Sequence, residues 1–212
     1  MKVSNKFTLA RLIFAPVFFF LYNIPVWTGS RILAFISAAL MIPSLIIMEL
    51  TDYWDGHYAR KNNEVSDLGK LFDPFADVML NLTVFISAMN SFDSRMGSYM
   101  PVVIFILIMY REFSQNFLRM LAIRHGVAIA ARKSGKVKTV FYIISGFFML
   151  AAECFIRFGL VEVFNVHLGI DVTQFYPYVK IVIRTLYVVC LILSYTSFID
   201  YIKNFGSVFK DM

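Results

Sequence analysis

Six apolar runs, at roughly residues 7–24, 31–54, 67–90, 100–123, 137–158 and 180–202, limit how this 212-residue chain can fold. Each is close to or above the ~20 residues that a helix needs to cross a bilayer. Spanning strands would alternate apolar and polar residues, and these runs do not. With 59% hydrophobic residues and a mean hydropathy of +0.69, the chain is excluded from the ordinary soluble domains. The polar stretches between the runs are short, so residues 1–212 read as one domain without linker or repeat. The expected fold is an all-α integral membrane protein, a six-transmembrane-helix bundle.

Charge orients that bundle. Of 20 Lys+Arg against 14 Asp+Glu, most basic residues fall on one side of the six runs, among them Lys2, Lys6, Arg60, Lys61, Arg132, Lys133, Lys136, Lys138 and Lys203. The other side offers mainly Arg31, Arg95, Arg157 and Lys180. Positive residues favour the cytoplasmic face, so both termini are expected in the cytosol of a multi-pass inner-membrane protein. Basic charge that rims a membrane protein does not suit a nucleic-acid partner. The first run lacks a small-residue cleavage site and is followed by Asn23-Ile24-Pro25-Val26-Trp27, so it is expected to be retained. Cys154 and Cys190 lie inside apolar runs and read as buried and inert.

Four aspartates break the second and third runs at one edge. Asp52 and Asp55 are three residues apart and Asp73 and Asp77 four apart, so each pair shares a helix face. Four clustered carboxylates at a bilayer edge repel one another unless divalent cations lie between them. Hard oxygen donors without His or Cys select Mg²⁺ or Mn²⁺. Gly56 and Gly69 permit close backbone approach of a phosphorylated ligand, and Arg60 adds a fixed cation. Chance would produce the eight specified residues, with Ala59 among them, on the order of once in ten million registers or more rarely.

This run, Asp52-x2-Asp55-Gly56-x2-Ala59-Arg60-x8-Gly69-x3-Asp73-x3-Asp77, resembles the signature of the CDP-alcohol phosphatidyltransferase family at every specified position. The resemblance implies a six-helix membrane enzyme, usually dimeric, that displaces CMP from a CDP-linked lipid by an acceptor hydroxyl. It implies that Asp52, Asp55, Asp73 and Asp77 hold two divalent ions and that Asp77 is also the base. Asn5, Thr8, Asp52, Gly56, Ala59, Arg60, Ser66 and Gly69 would then bind the CDP-lipid.

Further runs resemble the branch of that family that uses CDP-diacylglycerol and glycerol 3-phosphate: Asn5-x2-Thr8-x2-Arg11 with Pro16, Arg111-Glu112-Phe113 with Leu118-Arg119, and Gly135-Lys136-x-Lys138-Thr139. The chain departs from that branch at Val78, where Lys is usual, and at Tyr142, where Gln is usual. A phosphate dianion needs cations, and Arg111, Arg119, Lys136 and Lys138 are the candidates for the acceptor phosphate. Arg111 beside Glu112 can also be read as a buried ion pair, and the two lysines as boundary charges that meet anionic lipid headgroups. Serine, inositol phosphate or a second lipid are the alternative acceptors. A divalent-cation transporter is the alternative from another class, although its ion site belongs nearer the midplane. Residues 159–179 read as an extracytoplasmic connection without chemistry.

Overall fold

The structure, a computed structural model, describes residues 3–61, 67–124 and 133–205, with side chains for 7–51, 72–124 and 134–204. All regular structure among the described residues is helical: α1 (Val3–Thr28), α2 (Arg31–Lys61), α3 (Asp67–Ser87), α4 (Val102–Arg124), α5 (Lys133–Arg157), α6 (Leu160–His167), a 3-10 turn (Val172–Phe175) and α7 (Tyr176–Phe205). The six long helices fall on the six apolar runs. Four stretches, Phe7–Thr28, Arg31–Thr51, Ser134–Arg157 and Val172–Asn204, are long and apolar enough to cross a membrane. Helices α3 and α4 are of similar length, but they carry Asp73 and Asp77, and Arg111, Glu112 and Arg119.

Two residues connect α1 to α2, which forces a sharp reversal. Gly29 takes it at φ 65°, with its N–H on the Pro25 carbonyl at 2.9 Å. This left-handed conformation costs glycine no Cβ clash. Helix α1 packs on α2 and α3, and α5 on α2, α3 and α7. Because α4 touches both α3 and α7, the helices α3, α4, α7 and α5 close a ring.

Lipid tails are as apolar as leucine, so packing and hydrogen bonds hold such a ring rather than exclusion from water. Phe85 lies at its centre, edge-on to Tyr142 at 5.0 Å and to Tyr187 at 5.2 Å between ring centroids. Gly146 lets α5 approach α3: a Cβ there would meet Val84 Cγ1 at 3.1 Å. Outward positions such as Ile32, Val103 and Ile181 are exposed, as a lipid-facing surface requires.

The structure refines three readings of the sequence. Helix α5 starts at Lys133, ahead of the apolar run at 137, so Lys136 and Lys138 lie in its first turns. The connection 159–179 contains α6 and the 3-10 turn, capped by Asp171 Oδ1 accepting from Thr173 N–H at 3.0 Å. Arg157, read as a charge of the outer face, is 2% exposed and paired to Glu153. Cys154 and Cys190 are buried free thiols, as expected.

Candidate active site

Asp73 and Asp77 lie one turn apart near the start of α3, with Pro74 between them inside the helix. Their carboxylates meet α1. Thr8 Oγ1 donates to Asp73 Oδ1, and Arg11 Nη1 donates to Asp77 Oδ1, with Arg11 Nη2 4.0 Å from Asp73 Oδ1. The Arg11 side chain is 1% exposed whereas the two aspartates are about half open, at 43% and 41%. A buried guanidinium thus backs two carboxylates whose side chains are partly exposed. Asn81 on α3 reaches back to the Asp77 carbonyl at 2.8 Å.

Asp52, Asp55, Gly56, Ala59 and Arg60 belong to the last turns of α2, Gly69 to the first turn of α3 and Asn5 to the first turn of α1. Ser66 lies outside the described residues. The described part of the aspartate set is therefore its α3 half, and no group of three His, Cys, Asp or Glu side chains converges among the described residues. The donor chemistry of that half suits a hard divalent ion: two carboxylates one turn apart, a threonine hydroxyl beside them, and neither sulfur nor imidazole. Arg11 supplies positive charge at the same carboxylates.

From Asp77 a cavity of ≈ 270 Å³ extends into the ring of α3, α4, α5 and α7. Arg111, Arg119, Lys136 and Lys138 all line it, so the structure gathers the four cations nominated by sequence around one space with Asp77. They are held differently. Glu112 Oε1 accepts from Arg111 Nη1 at 2.8 Å, Lys138 Nζ at 2.8 Å and Tyr142 OH at 2.9 Å, with Ser194 Oγ at 3.4 Å. Arg111 Nε donates to the Ser194 carbonyl at 2.8 Å, while its Nη2 is buried without a partner among the described residues. The Lys138 ammonium also lies 4.8 Å from the centre of the Tyr142 ring. Lys136 is exposed at the mouth.

Arg111 is thus a buried ion-pair partner of Glu112 that also borders the cavity. Sequence reasoning missed Arg11 as a partner of the aspartates. The signal was present, because Thr8 and Arg11 are three apart on α1 and so share a face. Tyr142, read as a departure, anchors Glu112. Gln115 and Asn116, which also line the cavity, were not nominated.

The family model for CDP-alcohol phosphatidyltransferases matches residues 1–186. The chain belongs to the CDP-alcohol phosphatidyltransferase family. Members are transferases and in general depend on divalent metal ions. The CDP-diacylglycerol–glycerol-3-phosphate 3-phosphatidyltransferase of Treponema pallidum (strain Nichols) is 35% identical over 215 residues, covering 99% of this chain and 92% of that protein. The protein of the same name from Bacillus subtilis (strain 168) is 34% identical over 151 residues, covering 68% and 74%. That of Aquifex aeolicus (strain VF5) is 26% identical over 215 residues and covers 100% of both chains. For a CDP-alcohol phosphatidyltransferase, the apolar helices and the charged cavity have a common purpose: a lipid substrate and a polar one must meet at the membrane boundary.

Proposed function

We propose that this chain transfers the phosphatidyl group of CDP-diacylglycerol to glycerol 3-phosphate, giving phosphatidylglycerol phosphate and CMP. The observation that carries the reading is the cavity in which Asp77 meets Arg111, Arg119, Lys136 and Lys138. Among the described lining residues, four cations stand against the carboxylates of Asp77 and Glu112, and this positive surplus suits a phosphate monoester. Serine, which carries no phosphate, would leave that surplus unanswered.

In this reading the acceptor phosphate rests among Arg111, Arg119, Lys136 and Lys138, and its free hydroxyl faces Asp77. Asp77 takes the hydroxyl proton as the oxygen attacks the phosphatidyl phosphorus. The bond from that phosphorus to the bridging oxygen breaks, and CMP leaves with the electron pair. Asp52, Asp55, Asp73 and Asp77 hold two ions, Mg²⁺ or Mn²⁺. When bound, such ions neutralise the diphosphate and the charge that develops on the leaving group. Asn5, Thr8, Gly56, Ala59, Arg60, Ser66 and Gly69 surround the CDP-lipid, and Arg11 holds Asp73 and Asp77 at their positions on α3.

The same reading makes α1 to α5 and α7 six passes through the inner membrane, with both termini and the aspartates on the cytosolic side and α6 on the other. A homodimer completes it. Purified protein supplied with CDP-diacylglycerol, Mg²⁺ and a panel of acceptors should release CMP with glycerol 3-phosphate, and chelation should stop it. Release only with serine or inositol phosphate would overturn the acceptor and spare the reaction. Metal flux in proteoliposomes without CMP release would favour a transporter.

A further inference from the structure

The cavity contains polar capacity that a phosphate and a reacting hydroxyl do not use. Gln115 Oε1 and Asn116 Nδ2 are buried and have no hydrogen-bond partner among the described residues, and both residues line the cavity. Buried polar atoms are nearly always paired, so an unpaired acceptor and an unpaired donor on consecutive residues that line one cavity point to a group that arrives with the ligand. Their place on α4 says which part of the ligand. Gln115 stands four residues after Arg111 and four before Arg119, so it lies between the two guanidinium side chains on one face of α4. Asn116 stands four residues after Glu112, the carboxylate that holds Arg111 and Lys138. A carbonyl acceptor and an amide donor, set among phosphate-binding cations, form the pair that one hydroxyl satisfies, since a hydroxyl donates and accepts at once.

We infer that Gln115 and Asn116 recognise the hydroxyl of the acceptor that does not react, with the Gln115 carbonyl accepting its proton and the Asn116 amide donating to its oxygen. The inference rests on the reading above, in which the acceptor is glycerol 3-phosphate. That molecule has a primary hydroxyl to attack with and a secondary hydroxyl that only needs a place. These two residues determine specificity: they select a vicinal diol over a simple alcohol phosphate and take no part in bond making.

The test compares glycerol 3-phosphate with 3-hydroxypropyl phosphate, which keeps the phosphate and the primary hydroxyl and lacks the secondary one. The ratio of kcat/KM for the two is measured within each preparation of full-length protein, so the fraction of active enzyme cancels. The native protein should prefer glycerol 3-phosphate by on the order of 10- to 100-fold, because the analogue leaves both buried groups unpaired. In Gln115→Leu and Asn116→Leu the preference should collapse to about 3-fold or less, with turnover of the analogue retained. A preference unchanged in both variants would overturn the inference and leave the proposed reaction standing. Variants inactive with both acceptors while still binding CDP-diacylglycerol would also overturn it, since the analogue has no use for a secondary-hydroxyl site. Native protein that uses neither acceptor would defeat the proposed function itself.

Discussion

Two buried carboxylates on α4 and α5, Glu112 and Glu153, are held by similar partners and are suited to opposite tasks. Glu153 uses both oxygens: Oε1 accepts from Phe92 N–H at 2.7 Å and Arg157 Nε at 2.9 Å, and Oε2 from Ser91 Oγ at 2.9 Å and Tyr99 OH at 2.8 Å. Arg157 continues to Ser37 Oγ at 2.7 Å and stacks over the Tyr22 ring at 4.4 Å. The side chains of both partners are fully buried. Glu112 receives its four donors on Oε1 and borders a cavity, while Arg111 and Arg157 alike keep a buried Nη2 with no partner among the described residues. Burial alone therefore does not mark a functional charge. Glu153 is saturated and fastens α1, α2 and the 88–101 connection to α5, whereas Glu112 arranges cations that retain capacity for a ligand.

Substitutions can break this contrast, and the largest effect belongs to the reacting end. Asp77→Asn should lower turnover about 10²- to 10⁴-fold, the usual worth of a positioned base. Its binding of CDP-diacylglycerol and its thermal stability should change little, and unchanged turnover would remove Asp77 from that role. Glu153→Gln should do the reverse: it leaves Arg157 as a buried charge without a counter-ion, which costs about 3–5 kcal/mol. Thermal unfolding in detergent checks this, while the surviving folded fraction keeps its kcat and both KM values. Glu112→Gln should raise the glycerol 3-phosphate KM roughly tenfold, about 1.4 kcal/mol, with less loss of stability than Glu153→Gln and little change in the CDP-diacylglycerol KM. Equal effects on both KM values would show that Glu112 serves only to hold the fold.

The smallest effect lies in the connection that Glu153 fastens. Burial pushes the Asp93 carboxyl up, but hydrogen bonds from the Arg95 side chain and backbone and from Tyr176 outweigh it and hold the group below its ordinary value. A depressed carboxylate contributes stability above its unfolded pKa and loses it as pH falls through the folded one. Asp93→Asn should therefore cost less than about 1 kcal/mol at neutral pH, and the difference from native protein should vanish in acid below the folded pKa. Thermal melts across that acid range measure it.

The long helices were legible because each falls on a long, mostly apolar run, and such a run is local in sequence. The spacing of the aspartates was legible for the same reason, since each pair falls within about one turn of a single helix, α2 or α3. Helix α6 was not, because eight residues are too few to show a period. Glu153 and Arg157 can be read as a helical pair four apart, but Ser37 comes from 120 residues away and gives no sign in the chain. Gln115 could have been found from its spacing to Arg111 and Arg119. It was passed over because one polar residue on a helix means little until its neighbours across the cavity are known.

Helix α1 joins both ends of this comparison. Thr8 and Arg11 rest on Asp73 and Asp77, and Tyr22 lies under Arg157 with its hydroxyl on the Asn90 carbonyl at 2.7 Å. The opening turns of α1 therefore back the two α3 carboxylates of the proposed reaction centre, and an engineer should treat them so. Trimming the first dozen residues, or fusing a bulky tag against them, would strip the carboxylates of their backing while the rest of the apolar bundle still inserts. Affinity handles belong at the carboxyl end.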